Sequence, residues 1–422
     1  MLSLILSCRY ANRQEQIYIM IVSKIHLENF RNYSQVTLIP DAGINVLFGN
    51  NGQGKTNVIE SIYMCACARS HRTAKDAELI KHGENSYKID LNYFSSNQVG
   101  ISDDYEQQIG IHYKQLQGIG NSKNERLLYK DEIVLSRVSD FVGNFHAVMF
   151  APEDLQLIKD GPSARRRFLD LLLSQIKPSY FQQLQLFARI LRQRNTLLKY
   201  FRDQEKKPDS VYLEQLVIWN EQYAKSAAQV ITERLQLIDK LTYWSANLHK
   251  QISGGAEDLR LIYRTIPGIE IDSSNDNIID NIFNRLQKNQ TEDINRGNTS
   301  IGPHRDDFDL LVNKFSLRSF GSQGQQRTAV LALKMAELEI IRKSCKESPI
   351  LLLDDVMSEL DFGRREQLLS CLQNVQIFVT CTDPDQLDKN WLSSVGNDVA
   401  SYYRVADSTI TKISDWDSEA VL

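Results

Sequence analysis

The sequence predicts an α/β fold in which the two ends of the chain build one head and the middle forms an inserted helical arm. Three observations carry this expectation. A glycine-rich loop at 49–56 lies between a β-branched run and a helical run. Far downstream, Ile350-Leu351-Leu352-Leu353 runs without interruption into Asp354-Asp355, the pattern of a strand buried on both faces. Between them, from Ser163 to Lys250, apolar residues recur at the spacing of one helix face.

Short strands are expected at 21–27, 34–38 and 44–48, separated by turn residues, with further strands at 87–94, 108–113 and 126–129. A helix should follow the glycine loop, from Thr56 to Cys67. Past Pro162 the pattern becomes helical, with Phe168, Leu171, Leu172 and Ile176, then Leu184, Phe187, Ile190 and Leu191. Pro178 and the Lys206-Lys207-Pro208-Asp209 turn separate these from a third helix over 211–250, marked by Leu216, Tyr223, Ile231 and Ile238. That helix would reach about 60 Å at 1.5 Å per residue, the length of an arm. Mixed signals over 254–298 precede a return to α/β character, with a helix at 326–344 and strands at 350–353 and 376–380. The expected division is a head made of 20–160 and 298–422, with the arm at 161–297.

Composition sets bounds. The chain has 422 residues, of which 42% are hydrophobic and 24% charged, enough for two or three cored domains. The formal net charge of −4 does not announce a nucleic-acid binder, so any such contact must come from a local basic patch. Cys8, Cys65, Cys67, Cys345, Cys371 and Cys381 form no CxxC pair and read as thiols of a reducing cytoplasm. No run approaches the roughly 20 apolar residues of a membrane helix. Residues 1–19 fit a secretory signal poorly, because no basic residue precedes Leu2–Ser7. We expect them to be an extension preceding a start at Met20.

The chemistry concentrates in a few motifs. Gly49-Asn50-Asn51-Gly52-Gln53-Gly54-Lys55-Thr56 matches GxxxxGK[ST], in the required position between strand and helix. Such a loop curls its backbone N–H groups around phosphate oxygens at a helix N-terminus. Lys55 should bridge the β- and γ-phosphates of ATP, and the Thr56 hydroxyl should bind Mg²⁺. Asp354, at the C-terminal end of its buried strand, is expected beside Mg²⁺, and Asp355 beside the attacking water. A third segment, Ser319-Phe320-Gly321-Ser322-Gln323-Gly324-Gln325-Gln326-Arg327, opens a long helix. Read alone it is a helix cap, though a hydroxyl, amides and a helix dipole also suit a phosphate.

The order of these motifs, followed by Ser358-Glu359-Leu360-Asp361, resembles ABC ATPases. In that superfamily Ser322, Gly324 and Gln325 match the signature that meets the γ-phosphate held by the other subunit, and 358–361 match the D-loop. Further segments narrow the resemblance to the RecF family, short-armed relatives of SMC proteins: Leu27-Glu28-Asn29-Phe30-Arg31-Asn32-Tyr33, Ala68-Arg69-Ser70-His71-Arg72-Thr73, Phe150-Ala151-Pro152-Glu153-Asp154-Leu155, Arg165-Arg166-Arg167-Phe168-Leu169-Asp170 and Ile301-Gly302-Pro303-His304-Arg305-Asp306-Asp307. It spans Met20 to about Ser408. The resemblance implies an ATP-sandwiched homodimer, slow ATP hydrolysis and binding to gapped or junction DNA. It also implies cooperation with RecR and RecO in loading RecA during repair and the SOS response. An ABC transporter subunit lacks so long an arm, an SMC tether needs a longer coiled coil with a hinge, and an OLD-type nuclease needs a further acidic domain.

Arg69, Arg72 and Lys75 form one basic cluster, and Arg165, Arg166 and Arg167 another. Both are candidates for DNA phosphate, against the ordinary reading of a charge run as a solvated face. The His304–Asp307 cluster reads as a local polar network in preference to a metal site.

Overall fold

A computed structural model describes residues 18–95, 105–116, 124–203, 210–269, 274–358, 364, 374–386 and 400–413. The chain divides into two compact units, one formed by the chain up to Asp154 and again from Leu331, the other by Leu155–Val330.

The first unit opens with β1 (Tyr18–Ile19), β2 (Ile21–Phe30), β3 (Tyr33–Leu38) and β4 (Ile44–Phe48), followed by helix α1 (Lys55–Cys67). Strands β5 (Ser86–Phe94), β6 (Glu106–Lys114), β7 (Glu125–Lys130), β8 (Ile133–Leu135) and β9 (Ala147–Phe150) complete its N-terminal part. The antiparallel sheet runs β3-β2-β5-β6-β7-β8. Its β5 alternates buried and partly exposed positions with the period of two that a one-sided sheet imposes.

The second unit contains α2 (Pro162–Ile176), α3 (Pro178–Asp203), α4 (Ser210–Ile252), β10 (Leu259–Arg264), α5 (Asn275–Lys288), α6 (Gln290–Arg296), β11 (Asp307–Val312) and β12 (Phe315–Ser316). Its long α4, 43 residues, packs against α3, α5 and β10. Small and branched residues, Ala224, Ala227, Ala228 and Ile231, let α4 approach its neighbours closely and are fully buried. The arm therefore carries its own three-stranded sheet, β10-β11-β12. This moves the expected boundary. Residues 298–330, assigned to the head from sequence, belong to the arm unit, because β11 finds its ladder partner in β10 and not in the head.

Helix α7 (Gln323–Cys345) contains the unit boundary and leads into β13 (Glu347–Ser348), β14 (Ile350–Asp354), β15 (Ile377–Cys381), β16 (Ala400–Ala406) and β17 (Thr409–Ile413). The second head sheet has the order β17-β16-β4-β15-β14-β9, parallel apart from β17. Every residue of β4, β14 and β15 is buried. Helix α1 packs against strands of both head sheets and is buried from Val58 to Cys67, as a helix covered all round must be. Residues 1–17 and the D-loop positions 359–361 lie outside the described residues. Tyr18 and Ile19, placed in the extension from sequence, pair in parallel with Glu347 and Ser348.

Candidate nucleotide site

The glycine loop leaves β4 at Phe48 and enters α1 at Lys55. Gly54 has φ +116°, and a Cβ there would fall 2.7 Å from both Asn32 Nδ2 and Tyr33 Oη. Glycine is the side chain that both the backbone and the space admit. The same two residues brace the loop. Tyr33 Oη donates to the Gly54 carbonyl at 3.1 Å, and Asn32 Nδ2 donates to the Gln53 carbonyl at 2.8 Å. Asn57 Nδ2 holds Asn32 Oδ1 at 2.7 Å, and the Asp407 N–H donates to Gln53 Oε1 at 2.7 Å. These hydrogen bonds brace the loop. Lys55 Nζ donates to the carbonyls of Gly49 at 2.5 Å and Asn50 at 3.0 Å, across the loop it closes. Burial pulls its ammonium below the ordinary lysine range, while Asp355, Cys381 and Asp354 oppose that fall.

Parallel pairing of β14 with β15 puts Asp354 beside Thr380. Thr56 Oγ1 donates to Asp354 Oδ1 at 2.9 Å, and Thr380 Oγ1 donates to the same oxygen at 2.7 Å. Burial raises the Asp354 carboxyl, the two hydroxyl hydrogen bonds hold it down, and the charges of Glu153 and Asp355 push it up again. The chain then turns sharply. Asp355 has φ +53°, is exposed, and donates its N–H to Thr380 Oγ1 at 2.9 Å. Among the described residues no group of three or more His, Cys, Asp or Glu could hold a metal unaided. A hydroxyl and one carboxylate oxygen at 2.9 Å fit Mg²⁺ instead, which keeps several waters and uses few protein oxygens beside substrate phosphates. The structure therefore brings together Lys55, Thr56, Asp354 and Asp355, as expected from sequence. It adds Asn32, Tyr33 and Thr380, which sequence reasoning missed.

Ser322 and Gln325 form a reciprocal capping box at the start of α7. The Gln325 N–H donates to Ser322 Oγ at 3.2 Å, and the Ser322 N–H donates to Gln325 Oε1 at 2.9 Å. Gly324 lies in that first turn. The helix-cap reading is thus met within one chain, and the turn presents the hydroxyl of an exposed serine.

The basic candidates separate. Arg69, Arg72 and Lys75 are exposed, with Lys75 3.3 Å from Glu78 and Arg72 3.2 Å from Asn57 Oδ1. Arg165 departs from expectation. It is 3% exposed and pairs in bidentate fashion with Asp307 at 2.6 and 2.9 Å. It also donates to the carbonyls of Leu157 and Asp160. A guanidinium so committed holds the arm unit together and has no face for DNA phosphate. Arg166 donates to the Asp306 carbonyl at 2.7 Å; burial, with Arg234 nearby, lowers its pKa. Arg167 is partly exposed. The His304–Asp307 segment is the polar network expected. Arg234 donates to the Pro303 carbonyl at 2.6 Å, Tyr263 to Asp306 at 2.5 Å, and Tyr223 to the Ile301 carbonyl at 2.6 Å.

Beneath the loop, Glu60 of α1 is fully buried and receives Arg31 in bidentate geometry at 2.9 and 2.8 Å, with Ser70 Oγ on one of its oxygens. Arg72 lies 3.8 Å from its other oxygen. No local signal marks this glutamate, which sits mid-helix among apolar residues.

Residues 21–399 match the family described as RecF/RecN/SMC N terminal domain. The DNA replication and repair protein RecF of Ruminiclostridium cellulolyticum is 40% identical over 388 residues, covering 90% of this chain and all of that relative. A solved structure of the recombination mediator protein RecF with ATP, in the RecFOR pathway, superposes with a TM-score of 0.83 at 33% identity, covering 96% of this chain and all of that one. An SMC head bound to the C-terminal winged-helix domain of ScpA, at 14% identity and TM-score 0.51, shares the fold over 95% of this chain and 99% of its own. No helix among the described residues is long and apolar enough to cross a membrane. With its phosphate loop, paired acids and head built from both chain ends, the chain belongs to the RecF family of the SMC/ABC ATPase superfamily.

Proposed function

We propose that this protein is an ATP-gated DNA-binding switch of recombinational repair, acting in the cytoplasm. Two copies close on ATP, the Lys55 loop of one facing the Ser322–Gln325 turn of the other. The observation that carries the reading is the meeting of Thr56 and Asp354 at 2.9 Å beside a lysine held across its own loop. When bound, Mg²⁺ neutralises phosphate charge. Thr56 and Asp354 would hold it, Lys55 would bridge the terminal phosphates, and Asp355 would orient the attacking water. Where most ABC proteins have glutamate, Asp355 is one methylene shorter, so turnover is slow, a weak DNA-stimulated ATPase serving as a timer. Arg69, Arg72, Lys75 and Arg167 supply phosphate contacts, giving sequence-tolerant and salt-sensitive binding to single strands and to gapped or junction duplex. RecR, with RecO, and RecA downstream are the expected partners, in support of fork recovery and the SOS response.

The test is sizing and filter binding of wild type and Lys55→Ala with ATP, ADP or no nucleotide, plus Mg²⁺ and gapped DNA. Wild type should self-associate and hold DNA most tightly with ATP, and Lys55→Ala should do neither. A protein that stays monomeric under saturating ATP, even with Asp355→Asn blocking hydrolysis, has no such switch.

A further inference from the structure

The turn that opens α7 is held by a residue outside it. The amide of Gln325 is used at both ends: its Oε1 accepts the Ser322 N–H at 2.9 Å, and its Nε2 donates to Glu257 Oε1 at 2.8 Å. The second carboxylate oxygen, Glu257 Oε2, lies 3.5 Å from His249 Nε2 in the last turn of α4. His249 is fully buried. Glu257 is itself fixed in place. It follows the tight turn made by Gly254 and Gly255, at φ +64° and +83°. It precedes Asp258, whose N–H donates to Asn313 Oδ1 at 2.9 Å and whose carbonyl accepts the Asn313 N–H at 3.0 Å. One carboxylate thus accepts from the Ser322–Gln325 turn at 2.8 Å and lies beside the last turn of the 43-residue arm helix.

We infer that Glu257 is a positioning residue for the Ser322–Gln325 turn. The inference rests on the reading of that turn as the surface that meets the second copy's triphosphate. A charge-assisted bond from Gln325 keeps the amide oriented so that its oxygen, not its nitrogen, faces Ser322 N–H. The capping box then holds Ser322 Oγ as acceptor for Gln325 N–H, leaving the hydroxyl proton to be donated outward. Without Glu257 the amide can turn, the box opens, and the serine hydroxyl loses its direction.

The experiment uses the full chain with Glu257→Ala and Glu257→Gln, the latter retaining an oxygen that accepts from Gln325. Amide hydrogen exchange over 323–328 is measured without nucleotide. Self-association is then measured with ATP and Mg²⁺ in an Asp355→Asn background, and a fluorescent ATP analogue reports the Lys55 loop. Glu257→Ala should speed exchange at the turn about tenfold, the effect of losing a hydrogen bond to a charged group. It should raise the protein concentration needed for self-association about tenfold, roughly 1.4 kcal/mol. Analogue binding should be unchanged, which also shows that the head is folded, and Glu257→Gln, which keeps an acceptor and loses the charge, should fall between wild type and Glu257→Ala in both other readouts. Wild-type exchange in Glu257→Ala overturns the inference, as does wild-type self-association with exchange raised. Should wild type itself remain monomeric with ATP, the proposed switch fails while the exchange measurement still decides whether Glu257 positions the turn.

Discussion

Glu60 offers the sharpest test of how the nucleotide loop is supported. It lies on α1 five residues after Lys55, fully buried, and receives Arg31 Nε and Nη2 and the Ser70 hydroxyl. Glu60→Ala removes the only carboxylate paired with Arg31 among the described residues and leaves its guanidinium in a 19% exposed position. Breaking a buried ion pair by removing one partner costs about 3–5 kcal/mol. Because Arg31 retains some water and its bond to the Glu78 carbonyl, about 2–4 kcal/mol is the better expectation. At about 2–4 °C per kcal/mol for a domain of this size, melting should fall by roughly 4–16 °C. The effect should also reach the site. Arg31 precedes Asn32 and Tyr33, which brace the loop at Gln53 and Gly54, so the fluorescent ATP analogue should bind more weakly to folded variant. Glu60→Gln, which keeps an acceptor and loses the charge, should fall between. The assay is thermal unfolding by circular dichroism with analogue titration at 20 °C below the midpoint. A Glu60→Ala protein melting within about 2 °C of wild type would refute the account.

Two further outcomes follow from the arm unit and the basic patches. His304 is held to a pKa of about 4, chiefly by burial, with the charges of Arg305 and Arg166 adding to the fall and the Thr299 carbonyl opposing it. Its folded value lies below the ordinary 6.5, so its neutral form stabilises the native state; that contribution is complete above about pH 6.5 and lost as pH falls toward 4. About 3 kcal/mol is at stake, and wild type should lose more melting temperature between pH 7.5 and 4.5 than His304→Gln, with equal losses counting against the argument. Arg165→Ala should lower the melting temperature without changing the salt dependence of DNA binding by folded protein. Lys75→Ala should leave melting within about 1 °C and flatten the slope of log affinity against log salt by about 0.9; the opposite pairing of effects would reverse the assignment of these residues.

Much of the head was legible from the chain because its signals are local. Strands buried on both faces, such as β4 and β14, must be continuously apolar, and the glycine loop must sit between strand and helix. What was hidden depends on contacts between distant residues. Arg165-Arg166-Arg167 looks like surface because nothing nearby reveals that Asp307 will meet Arg165 from 142 residues away. The arm sheet escaped notice for the same reason, since β10 and β11 pair across a helical segment and neither alternates cleanly in sequence. Thr380, at the end of an apolar run, carries no local mark of its role. Only the β14–β15 register shows that Thr380, and not the residue two positions on, faces Asp354.

The two neighbours of β4 carry a consequence for biosynthesis. Strand β4 is hydrogen-bonded to β15 on one side and β16 on the other, so Ile44 waits for Ile377 and Ala400. On the ribosome, the phosphate loop emerges early, attached to a strand whose both edges stay bare until nearly the whole chain has been made. Domains usually fold as units while synthesis proceeds from the N-terminus, and long-range parallel pairing is slow to form. Nucleotide competence in this protein should therefore be acquired late and all at once, and a message cut short before β15 should yield a chain destined for chaperones and proteases, not a half-active fragment that competes for ATP.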